Sequence, residues 1–322
     1  MGCSLECDSR RRSVIIMSIA FISHPDCILH EMGSGHPESP ERLKAIEDLL
    51  LSSGLDVALQ RYEAPLATRE QLCRVHDSKY VEQIFSRAPQ KGIVRLDQDT
   101  TMNPYSLAAA LRAAGAVVLG VDLVMSDRSK LVFCNVRPPG HHAERKRAMG
   151  FCIFNNITVG AAHALHEHCL ERVAIMDFDV HHGNGTEDIF QNNLGVLYCS
   201  TFQHPFYPYS GADVESEHII NVALPMGTEG SQFRAVVTSH WLPKLEAFKP
   251  ELIFISAGFD AHIEDNMAGL GLLETDFAWV TTKIKEIAEQ HASGRIVSVL
   301  EGGYALSALG RSVAAHLNAL LG

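Results

Sequence analysis

Asp177-Phe178-Asp179-Val180-His181-His182-Gly183-Asn184-Gly185-Thr186 packs two carboxylates, two imidazoles and two glycines into ten residues. It follows directly on Val173-Ala174-Ile175-Met176, an apolar run that reads as a strand buried on both faces. Acids and imidazoles at the end of a buried strand cost free energy unless a metal ion or a hydrogen-bond network satisfies them. Asp179 and His181 are two apart, so in extended chain they point the same way and offer one oxygen and one nitrogen to a single cation. Structural metal sites usually have four protein ligands, whereas catalytic ones have three and keep a position open. The rest of the chain has to supply a third.

Working outward, strand-like runs recur at 19–23, 57–62, 131–135, 196–200, 219–224, 251–256 and 295–300. Between them lie helical segments. Ser39 as N-cap with Pro40 at the first helical position opens one that runs to about residue 53, with Gly54 as its stop. Others span 68–75, 78–86, 104–125, 155–168, 187–192, 231–248, 275–290 with Thr275 as cap, and 306–321. Residues 97–100 read as a polar loop. Strands alternating with helices predict an α/β fold: a mostly parallel central sheet flanked by helices, in one domain. Four chemically loaded loops, 137–142, 177–184, 257–262 and 301–304, each follow a strand. In an open parallel sheet the ligand crevice lies beyond the carboxyl ends of the strands, so these loops are expected to converge.

The chain has 322 residues, 46% of them hydrophobic, and a net charge of −11. That balance excludes a dedicated nucleic-acid binder, which shows a basic face, and admits a basic peptide or amine as substrate. The eight cysteines form no CxxC pair, so reduced, mostly buried thiols and a cytoplasmic location are expected rather than a disulfide framework. Residues 1–16 read as a disordered extension and 17–322 as the catalytic domain. No run of about 18 uninterrupted apolar residues occurs, so no membrane span is expected.

The third ligand candidate is Asp260, at the end of the run Ile253-Phe254-Ile255-Ser256-Ala257-Gly258-Phe259-Asp260. A lone Asp there is more often a helix cap. On the same sheet edge as Asp179 and His181, it completes an Asp/His/Asp set with positions to spare, which suits zinc and also accepts iron(II) or cobalt. Arg137-Pro138-Pro139-Gly140-His141-His142 brings tandem imidazoles. A water activated by a metal needs a proton acceptor, and its leaving group needs a donor. Asp177 and Asn184 are available to orient the two rings. Glu301-Gly302-Gly303-Tyr304 presents a phenol after two glycines, placed to polarise a carbonyl. Phe151, Phe206 and Tyr207 are as easily ordinary core as the walls of a slot.

Together with Gly150-Phe151-Cys152-Ile153-Phe154-Asn155-Asn156 and Ala257-Gly258-Phe259-Asp260, these motifs resemble the zinc-dependent histone deacetylase superfamily, class II-like members and acetylpolyamine amidohydrolases included. The resemblance spans roughly residues 18–321. It implies the arginase/deacetylase fold, with about eight strands. It also implies a metal held by Asp179, His181 and Asp260, tandem imidazoles His141 and His142 at the water, and Tyr304 as the carbonyl-polarising phenol. Phe151 and Tyr207 match the tunnel walls, Gly150 a backbone acceptor, Asp99 a rim carboxylate, and Met267 a rim residue that influences substrate choice. Arg42 matches the floor of an internal channel. Potassium is implied at Asp177, Asp179, His181, Ser200 and Thr201. Relatives occur as monomers and as homo-oligomers.

Two departures from the pattern stand out. Asn184 replaces the Asp of class I members, so its imidazole partner gains no charge; which of the tandem rings is the acid stays open. Met267 is neutral where polyamine-selective members carry acid, although Glu264 and Asp265 are near. The expected activity is hydrolysis of an acyl amide on the lysine side chain of a peptide or protein. The alternatives are an acetylpolyamine or other small-amide deacetylase, a catalytically weak acyl-lysine binder, and a two-metal urea hydrolase.

Overall fold

In the computed structural model, which describes residues 18–322, eight parallel strands form one sheet. The expected disordered extension at 1–16 lies outside the described residues. The strands are β1 (Ile19–Ser23), β2 (Leu59–Glu63), β5 (Leu131–Cys134), β6 (Val173–Asp177), β7 (Val196–Gln203), β8 (Ile219–Leu224), β9 (Leu252–Ala257) and β10 (Ile296–Leu300). Two-residue strands β3 (Val94–Arg95) and β4 (Thr101–Met102) pair antiparallel apart from it. The sheet order is β2-β1-β5-β10-β9-β6-β7-β8. The four loaded loops follow β5, β10, β9 and β6, which are four adjacent central strands.

The helices are α1 (Glu41–Ser52), α2 (Arg69–Cys73), α3 (Ser78–Arg87), α4 (Ser106–Met125), α5 (Asn156–Glu167), α6 (Asn184–Phe190), α7 (Gly230–Val236), α8 (Leu242–Phe248), α9 (Glu274–His291) and α10 (Leu306–Leu321). Strand pleat assigns them to faces. Gly120 of α4 lies against Val132 and Val297, whereas His316 of α10 meets Phe133 and Ser298, the next residues along β5 and β10. α4 and α5 therefore cover one face, and α10, packed with α1 and α9, covers the other. β5, β6, β9 and β10 are buried throughout, which is why they read as near-continuous apolar runs. α4 is long and apolar enough to cross a bilayer, but 72% of its most apolar window is buried inside the fold.

Several boundaries differ from expectation for local reasons. Helix α1 starts at Glu41, and Pro40 rather than Ser39 takes the N-cap position, without a side-chain cap bond. Thr275 lies inside α9; Leu273 precedes the helix and its N–H donates to Asp276 Oδ2 at 2.9 Å. α6 starts three residues early, at Asn184, because Gly183 ends the metal-facing loop directly on it. The 231–248 helix is interrupted by a π-helical turn, Val237–Trp241. The 97–100 loop is the turn of the β3–β4 hairpin. Of the six described cysteines, all free, four are buried and Cys73 and Cys169 are exposed.

Candidate active site

Asp179 and His181 do not lie in extended chain. β6 ends at Asp177, and two successive side-chain turns follow. Asp177 Oδ1 accepts the Asp179 N–H at 3.2 Å, and Asp179 Oδ1 accepts the His181 N–H at 2.9 Å. Such Asx turns, not strand pleat, bring residues two apart to one side. The far loops lock the carboxylates: Asp179 Oδ2 accepts from Gly302 N–H at 2.9 Å and Asp260 Oδ1 from Val180 N–H at 3.0 Å. A side chain at Gly302 would overlap Asp260 and Asp179, so the close approach of this backbone requires glycine.

Asp179, His181 and Asp260 each offer one donor atom, all within 4.8 Å of one another. His181 Nδ1 lies 3.0 Å from Asp179 Oδ1 and 3.2 Å from Asp260 Oδ2. Ligand bonds of roughly 2.0–2.1 Å in a tetrahedron put donors about 3.3 Å apart, so little movement is needed to hold zinc. Asp260 Oδ2 is buried with no hydrogen-bond partner, an orphan that a cation satisfies. Without one, burial and the Asp179 charge push the Asp260 carboxyl above its usual range. Burial disfavours a charged His181, but Asp179 and Asp260 outweigh it and raise the ring to about 10. Protons thus stand where the donor chemistry fits a dication.

The tandem imidazoles are unlike each other. His141 Nδ1 is 3.0 Å from Asp177 Oδ2, which also accepts from the Tyr198 hydroxyl at 3.0 Å. His142 Nδ1 is 2.8 Å from Asn184 Oδ1. The ring centroids are 4.0 Å apart. Burial opposes charge on both. For His141 the Asp179 and Asp177 carboxylates win and raise it to about 10. His142, facing an amide and the charged His141 and His181 rings, is pushed well below its ordinary value. The ring that lines the cavity is His142.

Tyr304 is held from two sides. Asp265, buried, accepts from the Tyr304 and Ala305 N–H groups at 2.6 and 3.0 Å and from Met267 N–H at 3.0 Å. It fixes the phenol and the rim residue together. Beneath, Arg42 donates to the Gly303 and Glu301 carbonyls, and its guanidinium sits 4.9 Å from the Tyr304 ring centroid. Arg42 is in turn paired with Glu38, which also binds Arg137, and all three side chains are fully buried. Glu301 accepts from Gly140 and His141 N–H at 2.7 and 3.1 Å, tying the imidazole loop to the same turn.

The Glu38 cluster has a measurable signature. Burial favours the neutral acid, but Arg137, His30 and Arg42 outweigh it and hold Glu38 at about 2, below its ordinary 4.5. A depressed carboxyl stabilises the fold fully above its unfolded value, and this is lost as pH falls from 4.5 towards 2. The whole contribution amounts to about 3 kcal/mol. Glu38→Gln is expected to cost roughly 3–5 kcal/mol at pH 7, since it leaves two buried guanidinium groups undercompensated, and to flatten the acid dependence. Urea unfolding between pH 7 and pH 3.5 checks both.

The cavity beside these groups holds about 210 Å³ and is lined by Asp99, His142, Gly150, Phe151, His181, Phe206, Tyr207, Met267 and Tyr304. Phe206 stacks on His181 at 5.6 Å, and Phe151 meets Tyr304 edge-on at 6.0 Å. Gly150 and Phe151 both have left-handed backbone, φ +57° and +67°. For Phe151 this is strained, and two bonds hold it: Gly150 N–H to Asp99 Oδ1 and Phe151 N–H to Thr100 Oγ1, each 3.1 Å. Asp99 therefore shapes the wall as well as facing the cavity. All five rim and wall residues named from the sequence meet here. Glu38, Glu144 and Tyr198 were not singled out in it, and Arg137 and Asp265 were noted there without the structural roles they have here.

Of the potassium set, Asp177 pairs in register with Ser200, whose buried Oγ has no partner, and Thr201 follows it. One other His/Asp group exists among the described residues: Asp122, His163 and His168. Both rings approach Asp122 Oδ1 at 2.8 Å through Nε2. Arg74 donates to His163 Nδ1 at 3.2 Å, which leaves the proton on Nε2, so this cluster is satisfied by protons.

A family model described as the histone deacetylase domain matches residues 36–320. A Pseudomonas aeruginosa protein named histone deacetylase-like amidohydrolase is 39% identical over 278 residues, 84% of this chain and 73% of that one. A human protein named polyamine deacetylase is 34% identical over 327 residues, 95% of this chain and 48% of that one. The crystal structure of the HDA15 HD domain superposes with a TM-score of 0.88 at 33% identity, covering 95% of this chain and 90% of the other.

Proposed function

The chain belongs to the histone deacetylase family, a family of amide-hydrolysing deacetylases, and on that premise we propose that it removes acetyl groups from the lysine side chain of peptides or proteins. The observation that carries this is the cavity: aromatic walls, with His142, Tyr304 and His181 on one space, His181 being one of the Asp179/His181/Asp260 cluster that could hold a metal ion. Such a shaft suits an uncharged acyl amide on an apolar four-carbon stem.

A divalent cation, zinc by donor type, would be held by Asp179, His181 and Asp260 and would supply Lewis-acid polarisation of the amide oxygen and of the attacking water. Tyr304 keeps its proton, because burial and the nearby carboxylates push its phenol well above the ordinary value. It donates to the amide oxygen as negative charge develops there. His142 has its Nδ1 bonded to Asn184 Oδ1, so Nε2 is free to take a proton from water and return it to the departing amine. His141, anchored on Asp177, stays behind it as an oriented neighbour. The Gly150 carbonyl is the acceptor for the substrate amide N–H. Potassium at Asp177, Asp179, His181, Ser200 and Thr201 belongs to the same reading, supported by the orphaned Ser200 hydroxyl.

Peptide is favoured over polyamine by what the nearby acids do. Glu264 is paired with Arg311, and Asp265 is buried on backbone N–H groups, so neither faces the cavity. Met267 is a neutral rim residue, and the acid that does face the cavity, Asp99, is engaged by the Gly150 N–H. The polyamine reading is the alternative, in keeping with the name of the human relative. Steady-state hydrolysis of an acetyl-lysine peptide and of N8-acetylspermidine by the zinc-loaded protein decides between them. The peptide is expected to have the higher kcat/KM by at least about tenfold, the equivalent of one unpaired cation at the rim. A preference for acetylspermidine transfers the assignment to polyamines, and tight peptide binding without turnover makes the protein a binder.

A further inference from the structure

Asn184 leaves His142 without a charged partner, but the carboxylate is only one hydrogen bond further out. Asn184 Nδ2 donates to Glu144 Oε1 at 2.8 Å. Glu144 is held in place through its backbone: His76 Nδ1 meets its carbonyl at 3.0 Å, and its N–H donates to Arg147 O at 2.9 Å. Its side chain also pairs with Arg147 at 2.6 Å and is one-quarter exposed.

We propose that Glu144 is a positioning residue for the hydrolysis, fixing the orientation of the Asn184 amide and through it the tautomer of His142. This rests on His142 being the proton carrier of the preceding section. An amide has a donor end and an acceptor end, and which way it faces is decided by its surroundings. Around Nδ2 lie Glu144 Oε1 at 2.8 Å, Met149 Sδ at 3.3 Å and the His142 carbonyl at 3.5 Å. All are acceptors. Sulfur is a weak one and the carbonyl is long, so the carboxylate dominates. With the NH2 turned to Glu144, Oδ1 faces His142 Nδ1, which must then carry the proton. Nε2 is left as a lone pair.

The reversed amide undoes this. Its NH2 would face Nδ1, the ring proton would move to Nε2, and the base would be blocked. The groups around His142 do not make the choice themselves. His141 lies at 4.0 Å, Tyr207 at 5.3 Å and His181 at 5.8 Å between ring centroids, and Asp179 acts on it only through its charge. Arg147 is the cation that faces Glu144. Asp177 is a charged partner for His141 directly, and Glu144 is one for His142 at one remove, through Asn184.

The test uses the zinc-loaded full chain labelled with 15N-histidine, with the His142 ring signals identified by their loss in His142→Asn. Wild type is expected to show Nδ1 protonated and Nε2 bare, and Glu144→Ala a mixture of tautomers. In acetyl-lysine peptide hydrolysis, Glu144→Ala is expected to lose about tenfold in kcat, the equivalent of one hydrogen bond to a charged group, at unchanged KM and metal content. Glu144→Gln keeps an acceptor for Asn184 and removes the charge. It is expected to restore most of kcat and the wild-type His142 tautomer. An unchanged His142 tautomer in Glu144→Ala overturns the assignment whatever the rate does. A wild-type protein that cannot hydrolyse the peptide overturns the reading of the site instead, and leaves the tautomer result to judge Glu144.

Discussion

Asp260→Asn is expected to purify without metal and to hydrolyse acetyl-lysine peptide at less than about one-thousandth of the wild-type rate, equivalent to some 4 kcal/mol of lost transition-state stabilisation. The substitution is nearly isosteric. Asn keeps the Oδ1 that accepts the Val180 N–H, so the loop at the end of β9 retains its lock. What it removes is the charge on the orphaned Oδ2. Thermal unfolding should then invert with metal. Metal-free wild type holds Asp179 and Asp260 close together in a buried site, and burial followed by that repulsion raises Asp260. The variant relieves it and is expected to melt higher than metal-free wild type. Added zinc stabilises whatever folded form binds it, so only the wild type should gain. A variant that retains one metal per chain and the wild-type rate contradicts the ligand assignment.

Tyr304→Phe is expected to lose about 10²–10³ in kcat, the effect of removing one donor to a developing oxyanion, with metal content unchanged. The ring should stay where it is. Its backbone is held by Asp265, its face by Arg42 and its edge by Phe151, and none of these involves the hydroxyl. KM should change little, because the phenol acts chiefly as charge develops. Normal turnover in this variant refutes the role.

The central sheet and the site's position were legible because they rest on local patterns. Four fully buried strands read as near-continuous apolar runs, and the chemistry sits in the loops that follow them. The Asp/His/Asp set and both imidazole partners followed from that geometry and the family likeness. What escaped was held by distance in the chain. Arg137 meets Glu38 across 99 residues and Tyr304 meets Asp265 across 39, and a lone acid in a loop announces neither. The β3–β4 hairpin has two-residue strands, too short for any periodicity. β7 continues through Thr201 and Gln203 because both are buried despite being polar, which reverses what their composition suggests. The convergence of Asp179 and His181 was anticipated for the wrong reason: Asx turns, not an extended chain, put them on one side.

Metal content and amide hydrolysis measured on one sample, before chelation, after chelation and after zinc is restored, test whether a single ion on Asp179, His181 and Asp260 drives the chemistry. One divalent ion per chain should accompany activity, leave with it and return with it. Full hydrolysis by protein shown to be metal-free, or a requirement for two ions per chain, would contradict it.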